Sequence, residues 1–338
     1  MIIAVDAAGG DYAPHEIVKG AVKAADEYGV EVVLVGKKKV LHVLAGRHLR
    51  EKGISIVSAS QVIEPNEMPI KAIRTKTDSS IVVGIRLVKE GKAAGFVSAG
   101  NTGAVLGAAL FGLGKAKKVE RPAIACIMDI TPATPALLID AGANVECRPS
   151  HLVQFAEMGV AFSRHVLGIS EPRVGLLSNG VEETKGNQLV QESYQLLKKA
   201  KNLNFIGSIE GHDILKVTAD VVVTDGFTGN IVLKTIEGMS ETFLGSARQL
   251  GHVVSNAYHF RGRDLLRDLG LGSWVNRIDY REYGGACLLG VNGNIIIAHG
   301  RSQAKTIKNA IGIAKHMAEE NMAEVIKEEI HEQASGSK

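Results

Sequence analysis

Polar side chains suited to transfer chemistry follow several short apolar runs of the sequence, at or just past the point where each run ends. The carboxylates are Asp6, Asp11, Asp140 and Asp225, the neutral amides are Asn101, Asn144, Asn187 and Asn230, and Lys185 lies in the string ETKGN. Lysine can hold a phosphate as a point charge, and amide groups can donate to a developing oxyanion. A carboxylate can orient or deprotonate a nucleophile. These residue types favour acyl or phosphoryl transfer.

Each of these side chains also has a structural interpretation, and the sequence leaves both open. An Asp or Asn that follows a strand commonly forms an Asx turn or caps the next helix. Lys185 would then be a solvated lysine at the start of a helix. Among the eleven histidines, His299 stands out because it ends an apolar run. Cys147 and Cys287 lie near glycine-rich turns, but neither has an obvious activating partner.

Small residues follow the same apolar runs, most clearly in the stretch GFVSAGNTGAV at residues 95–105. Glycine lets a backbone approach a ligand closely, and the first N–H groups of a helix have no partner within it. Because the amino end of a helix is also positive, a phosphate or carboxylate is the expected ligand. The candidate phosphate-binding residues at these loops are Asp6, Gly9, Gly10, Ser98, Gly100, Asn101, Thr102, Gly103, Asp140, Asn144, Gly226, Thr228 and Gly229.

Short β-branched runs that alternate with helical patterns must position these loops. Strands are predicted at 2–6, 31–36, 54–58, 94–98, 123–128, 136–140, 173–178, 204–207 and 220–225. Several are apolar throughout, which is typical of strands covered by helices on both faces. Because ligands of open α/β sheets bind beyond the carboxyl ends of the strands, we expect the glycine-rich loops to line one rim of the sheet.

The last third of the chain predicts a mixed sheet. Asn292-Gly293 separates two apolar runs within 286–300 and indicates a hairpin. Helices are predicted at 150–167, capped by Ser150, and at 302–332. No linker rich in Pro, Gly or Ser divides the chain. We therefore expect one unit of two interleaved subdomains over 1–333, with a disordered tail at 334–338.

Composition excludes several classes of protein. The 338 residues carry a net charge of only +3, and aromatic residues make up 4% of them, which argues against a nucleic-acid-binding protein. The three cysteines are far apart and too few for a disulfide framework, so a reducing compartment is expected. No apolar run approaches the roughly 20 residues that cross a bilayer. These features predict a cytoplasmic protein, at most attached to a membrane surface.

The familiar cofactor motifs are absent from the sequence. It contains no G-x-x-x-x-G-K-[ST] and no G-x-G-x-x-G after a strand, so neither ATP nor NAD is expected. It also lacks H-E-x-x-H, G-x-S-x-G and C-x-x-C, which argues against a zincin, an α/β-hydrolase or a thiol redox enzyme. We expect no cofactor and no metal.

Eight short strings in order along the chain closely resemble the signature segments of the PlsX-type phosphate acyltransferases. They are AVDAAGGDYAP, SAGNTGA, RPA, DAGAN, TKGN, VVTDGFTGN, YGGA and AHG, between residue 1 and about 315. Ala8 stands where family members often carry Met, and 245–282 matches weakly. The resemblance implies an α/β/α sandwich with a large mixed sheet and two intertwined subdomains, similar to isocitrate and isopropylmalate dehydrogenases and phosphotransacetylase, assembled as a homodimer.

The resemblance also implies a reaction: an acyl group moves from acyl carrier protein to inorganic phosphate, and the acyl phosphate feeds phospholipid synthesis. On this basis, phosphate would bind the N–H groups of 98–103 and 225–230, close to Lys185. Asn187, Asn230 or loop amides would stabilise the tetrahedral oxyanion, and Asp225 or His299 would orient the phosphate. No covalent enzyme intermediate is needed.

Expected partners follow from the same resemblance. Acyl carrier protein is acidic, and basic candidates for its docking surface lie at 37–39, 115–118 and 261–267. The stretch 261–278 mixes basic and apolar residues, which suits either a membrane surface or a dimer interface; a membrane glycerol-3-phosphate acyltransferase would use the product. Three alternatives remain: a phosphotransacetylase-like enzyme acting on acyl-CoA, a metal-dependent decarboxylating dehydrogenase, and a non-catalytic sensor of acyl carrier protein.

Overall fold

The structure is a computed structural model that describes residues 1–46, 48–51, 53–128, 135–240, 242 and 284–330. Its strands are β1 (Ile2–Asp6), β2 (Glu31–Gly36), β3 (Ile54–Ser58), β4 (Gly95–Ser98), β5 (Ala123–Met128), β6 (Ala136–Ile139), β7 (Arg173–Leu177), β8 (Asn204–Ile209), β9 (Val221–Val223), β10 (Ala286–Leu289) and β11 (Asn294–Ile297). The predicted features at 245–282, including the stretches 261–267 and 261–278, and the predicted tail at 334–338 lie outside the described residues.

Helices connect most of these strands. They are α1 (His15–Tyr28), α2 (Lys38–Ala45), α3 (His48–Glu51), α4 (Pro69–Thr75), α5 (Ser80–Lys89), α6 (Thr102–Gly112), α7 (Pro149–His165), α8 (Gln188–Lys199), α9 (Gly211–Ile214), α10 (226–240), α11 (Ala304–Glu319) and α12 (Met322–Glu329). No helix among the described residues is both long enough and apolar enough to cross a membrane.

One sheet joins the eleven described strands, in the order β3-β2-β1-β4-β11-β10-β5-β6-β9-β7-β8. Successive residues of β1 enter different cores, as the period of two requires: Ile3 belongs to the core on one face, which also contains Phe155 and Ile311, whereas Ala4 belongs to the core on the other face, which contains Phe96. Helices therefore cover both faces. The predicted three-layer α/β/α sandwich with a large mixed sheet is confirmed.

The directions of the strands divide the sheet into two halves. Strands β3, β2, β1, β4 and β11 run parallel to one another. Beyond the antiparallel β10, strand β5 keeps that direction, and β6 reverses it. Strands β9, β7 and β8 then run parallel to β6. The carboxyl ends of β1, β4 and β11 lie at one edge, here called the first edge, and those of β6, β7 and β9 lie at the opposite, second edge.

The prediction that all the glycine-rich loops line one rim is therefore wrong. The reversal occurs between β5 and β6, which only residues 129–135 separate. A parallel pair needs a crossover of about a dozen residues or more, so this short connection requires antiparallel strands. The strands past β6 in the sheet, β9, β7 and β8, therefore end at the edge opposite to the one where β1, β4 and β11 end.

The C-terminal hairpin returns to the N-terminal half of the sheet. Strands β10 and β11 insert between β4 and β5, and the predicted turn at Asn292-Gly293 connects them. Helix α11 then packs along α1, where Glu16 accepts the Ala304 N–H at 2.8 Å and the Tyr28 hydroxyl donates to Asn309 at 3.3 Å. Residues from both ends of the chain thus build the first edge.

Two predicted helix details are corrected. Ser150 does not cap α7, because Arg148 is the N-cap and Pro149 the first helical residue; the Ser150 hydroxyl instead donates to Glu120 at 3.2 Å. The predicted long helix at 302–332 is two helices. Asn321 separates α11 from α12 with a left-handed φ of 51°, a conformation that Asn tolerates better than most residues.

Candidate active site

The loops after β1 and β4 are joined by a buried carboxylate at the first edge. Asp6 is 1% exposed; its Oδ1 accepts the N–H groups of Ala8 and Gly9 at 3.0 and 3.1 Å, and its Oδ2 accepts the Ser98 hydroxyl at 2.7 Å. The Ser98 oxygen in turn accepts the Gly100 N–H at 3.0 Å. Asp6 and Ser98 therefore organise the loops, and the N–H groups of Gly9 and Gly100 are already occupied.

Glycine is required where these two loops meet. A Cβ on Gly9 would lie 2.8 Å from the Gly100 backbone and against the Asp6 carboxylate. Gly10 has a φ of 104°, which other residues rarely adopt. The next N–H, that of Asp11, donates to the Gly300 carbonyl at 2.7 Å. The three loops after β1, β4 and β11 thus form one surface at the first edge.

Asn101 directs the amino end of α6 to this surface. Its Oδ1 caps the helix by accepting the Ala104 N–H at 3.0 Å, and its Nδ2 donates to the carbonyls of Glu64, Pro65 and Glu67 at 3.1 to 3.3 Å. Asn101 therefore has the structural role that its type also predicted. The N–H groups of Thr102 and Gly103 have no acceptor within the helix, which leaves them directed out of the positive end of α6.

His299 lies in a cluster of charged residues at the same edge. Its Nδ1 accepts the Arg301 N–H at 3.1 Å, so the neutral ring carries its proton on Nε2. Burial lowers the pKa of His299, and the positive charges of Lys234 and Arg301 lower it further, whereas Glu237 and Asp11 oppose the shift. Lys234 also pairs with Glu237 at 2.7 Å. Lys234 and Glu237 of α10, Arg301 and Asp11 therefore lie close enough to His299 to influence its protonation.

Sequence reasoning missed Lys234, Glu237 and Arg301. A helical signal was available, because Asn230, Lys234 and Glu237 are spaced by four and three residues and so share one face of α10. Arg301 directly follows the AHG string. The sequence-based criterion was proximity to a strand end, which Lys234 and Glu237 do not meet, because both lie within α10, well past the end of β9.

Asp140 organises the second edge in the way that Asp6 organises the first. It is fully buried; Oδ1 accepts the N–H groups of Ile124, Gly142 and Ala143 at 2.9 to 3.0 Å, and Oδ2 accepts both the backbone and side-chain N–H groups of Asn144. Burial raises the pKa of Asp140, and these donors oppose the shift. The Asx-turn interpretation is the one that its hydrogen bonds support.

The start of α10 packs directly on the Asp140 loop. Asp225 caps the helix by accepting the Thr228 N–H and hydroxyl at 2.9 and 2.8 Å, and the Gly226 N–H donates to the Asn144 carbonyl at 2.8 Å. A Cβ on Gly229 would collide with the Asp140 carbonyl. Asn230 is exposed beside Gly142. The N–H groups of 226, 228 and 229 are therefore engaged in holding the helix.

Lys185 and Asn187 lie at the second edge, in the loop after β7. Asn187 caps α8 by accepting the Val190 N–H at 3.0 Å. Lys185 is exposed, and its ammonium pairs with no described residue. Residues 98–103 lie at the first edge, whereas 225–230 and Lys185 lie at the second. The predicted phosphate site that combines all three is thus not formed within one chain.

The two cysteines that the sequence singled out, and one cluster of possible metal ligands, also lie among the described residues. Burial raises the pKa of the Cys147 thiol to about 12 and raises that of Cys287 as well, so neither is a thiolate near neutral pH. Among the described residues, the side chains close enough to share a metal ion are those of Glu210, His212 and Asp213, at the end of β8. Asp213 there accepts the Glu210 N–H at 3.1 Å.

Comparisons with known proteins extend over nearly the whole chain. Residues 1–325 match the family described as fatty acid synthesis protein. The chain is 58% identical to a phosphate acyltransferase of Dehalococcoides mccartyi over 330 residues, which cover 98% of this chain and 94% of that protein. It is 47% identical to a phosphate acyltransferase of Pelotomaculum thermopropionicum, with 98% and 95% covered.

Solved structures support the fold. A phosphotransacetylase from Streptococcus pyogenes superposes with a TM-score of 0.62 at 17% identity, covering 95% of this chain and 94% of that one. The EutD phosphotransacetylase from Staphylococcus aureus superposes with a TM-score of 0.59 at 17% identity, covering 94% of each chain. The expected similarity of fold to phosphotransacetylase is confirmed.

Proposed function

The chain belongs to the fatty acid synthesis protein family of phosphate acyltransferases, and we propose that it transfers a long-chain acyl group from acyl carrier protein to inorganic phosphate. The product, an acyl phosphate, would supply phosphatidic acid synthesis through a membrane glycerol-3-phosphate acyltransferase. The observation that carries the proposal is the charged cluster around His299 at the first edge, where Lys234, Arg301 and Asp11 lie close enough to shift its pKa and Asp11 joins the loop after β1 to the loop after β11.

Phosphate binds in this account at the first edge. The N–H groups of Thr102 and Gly103, at the positive end of α6, together with Arg301 and with Lys234, which also pairs with Glu237, suit a tetrahedral dianion. The second edge is less suitable, because the N–H groups of Gly142, Ala143, Gly226 and Thr228 already have acceptors.

The reaction needs only positioning and charge stabilisation. A phosphate oxygen forms a bond to the thioester carbonyl carbon, whose oxygen becomes an oxyanion; the C–S bond then breaks, and the thiolate leaves and takes a proton from water. The Nε2–H of neutral His299 donates to the oxyanion. A donor of this kind is worth about 10² to 10³ in rate, and a thiolate needs little acid assistance.

The candidate residues at the second edge contribute to this reaction only if they reach the phosphate site of a second protomer. They are Lys185, Asn187 and Asn230. The resemblance implies a homodimer, and a two-fold axis would apply the second edge of one chain to the first edge of its partner. Lys185 supports this role, since it is exposed and unpaired within the described residues. Its ammonium would then bind the phosphate from the side opposite to Lys234.

One experiment tests the proposed function. Purified protein is incubated with ³²P-labelled phosphate and palmitoyl acyl carrier protein, and in parallel with palmitoyl-CoA. We expect labelled palmitoyl phosphate and free carrier protein, with kcat/KM higher for the carrier protein. Product from the CoA thioester alone would favour a phosphotransacetylase-like enzyme, and binding of the acyl carrier protein without product would favour a sensor.

A further inference from the structure

Three glycines of α6 bring α4 and α5 into close contact with it. A Cβ on Gly103 would lie 2.6 Å from Pro69, one on Gly107 would lie 3.1 Å from Ile73, and one on Gly112 would lie 2.7 Å from Ile85. The close packing leaves a groove of about 400 Å³ on the outside of the three helices, lined by Ile73, Val82, Ile85, Ala108 and Phe111 together with three cationic side chains.

Large apolar side chains in and beside the groove are exposed to solvent instead of packing in the core. Phe111 is 64% exposed although it lies in the last turn of α6, where the preceding Gly107, Ala108 and Ala109 are buried. Met68, just before α4, is 74% exposed, and Ile70, on α4, is 43% exposed. A contiguous exposed apolar area of this kind marks an interaction site more often than a scattered single residue does.

The cations at the groove are Arg74, Arg86 and Lys89, all exposed. None forms a salt bridge with a described residue, and the Arg74 guanidinium lies 5.8 Å from the centre of the Phe111 ring. The Arg86 charge helps to lower the pKa of Asp78 and of Glu90, although both carboxylates have closer partners: Asp78 accepts the Ser60 hydroxyl at 2.6 Å, and Glu90 pairs with Lys92 at 2.7 Å. The groove therefore combines an apolar floor with a rim of exposed cations that form no ion pair with a described residue.

The groove is continuous with the first edge. Helix α6 begins at Thr102, whose N–H is assigned to the phosphate, and ends at Gly112 in the groove; its 11 residues span about 16 Å. Met68 and Pro69 lie beside the start of the same helix. A partner docked on Phe111 is thus one helix length from the reacting atoms, a distance that a flexible thioester arm can bridge.

We propose that this groove between α4, α5 and α6 is the docking surface for the acidic acyl carrier protein. An apolar segment of the carrier covers Phe111, and its carboxylates face Arg74, Arg86 and Lys89. This inference rests on the proposed function. It replaces the basic stretches at 37–39 and 115–118 as the preferred surface; in the latter, Lys115 already donates to the Glu120 carbonyl at 2.8 Å.

The test compares two charge-reversed variants with the wild type. One carries Arg74→Glu, Arg86→Glu and Lys89→Glu, and the control carries Lys37→Glu, Lys38→Glu and Lys39→Glu, the same change of charge on another exposed stretch. In the first variant we expect the KM for palmitoyl acyl carrier protein to rise about tenfold or more, with a weaker dependence on salt. The KM for phosphate, and turnover of the small thioester S-palmitoyl pantetheine, should not change.

A second variant keeps the test decisive if the triple variant folds poorly. Phe111→Ser alters an exposed side chain, and we expect it to weaken binding of the unacylated carrier protein, measured by calorimetry, without changing turnover of S-palmitoyl pantetheine. An unchanged KM for the carrier in both groove variants, or a rise only in the 37–39 control, overturns the assignment of the groove. A wild type that makes no palmitoyl phosphate from the carrier overturns the proposed function, and the docking surface with it.

Discussion

Ser98 donates its hydroxyl hydrogen to Asp6 across 2.7 Å, although 92 residues separate the two in the chain. Because Asp6 also holds the N–H groups of the loop after β1, and Ser98 accepts the Gly100 N–H, this single contact fixes two loops against each other. It places the amino end of α6 beside the loop that carries His299. The phosphate site depends on that placement.

Replacement of Ser98 tests this contact. Ser98→Ala removes a hydrogen bond to a buried carboxylate, and we predict a loss of about 1.5 to 3 kcal/mol in the free energy of unfolding, with a higher KM for phosphate. Urea denaturation and initial rates measure the two effects. Ser163→Ala is the matched control, since Ser163 is fully buried but its hydroxyl has no hydrogen-bond partner among the described residues. Equal behaviour of the two variants would show that the Asp6 contact is not important.

Gly9→Ala tests the close approach of the two loops. The added Cβ would meet the Gly100 backbone at 2.8 Å as well as the Asp6 carboxylate, so we predict at least a hundredfold loss of kcat/KM, because displaced groups lose catalytic geometry. Gly238→Ala in α10 is the control, since a Cβ there meets nothing within 4 Å. It should raise the midpoint of thermal unfolding and leave activity unchanged. Wild-type activity in Gly9→Ala would contradict the account.

The pH dependence of kcat tests the role of His299. Its pKa is lowered by burial and by the nearby cations, so the ring stays neutral through neutral pH and takes up a proton only below its ordinary value of about 6.5. Protonation places a hydrogen on Nδ1, which can then no longer accept the Arg301 N–H, so the ring loses the contact that orients it. With phosphate saturating, we therefore predict that the His299-dependent fall in kcat occurs only below the ordinary imidazole pKa of about 6.5. His299→Gln should lower kcat by about 10² and abolish the fall. A fall that persists in His299→Gln would assign the titration to another group.

Complementation tests whether Lys185 acts from a second protomer. Lys185→Ala and Lys234→Ala should each be nearly inactive. Co-refolded in equal amounts, they should regain about a quarter of wild-type activity, because half of the randomly formed dimers are mixed and each mixed dimer holds one intact site. Full activity of Lys185→Ala alone would remove Lys185 from the site. Inactivity of both without recovery would mean that the two lysines act from the same chain.

Local features were predictable from the sequence because they depend on neighbouring residues. The β-branched runs of β1, β2, β3 and β5 fixed those strands to the residue, and Asn292-Gly293 specified the hairpin. The Ser150 cap was wrong because Pro149 starts the helix one residue earlier, a position that proline favours. The break at Asn321 was missed because the apolar pattern continues through it.

The site was less predictable because it depends on strand direction. Asp6 and Asp140 have the same sequence environment, each ending an apolar run before glycine, yet they lie at opposite edges of the sheet. The short connection at 129–135 predicts that β5 and β6 are antiparallel. The consequence appears several strands away, because this reversal also sets the edge at which β7 and β9 end. Lys234 and Arg301 come together with His299 through packing alone, which no spacing in the sequence specifies.

The most direct test of the central claim is a crystal structure of the protein grown with inorganic phosphate. We predict tetrahedral density at the first edge, within hydrogen-bonding distance of the Thr102 N–H and close to His299, Lys234 and Arg301. Density only at the Asp140 and Asp225 loops of the second edge, with none beside His299, would contradict it.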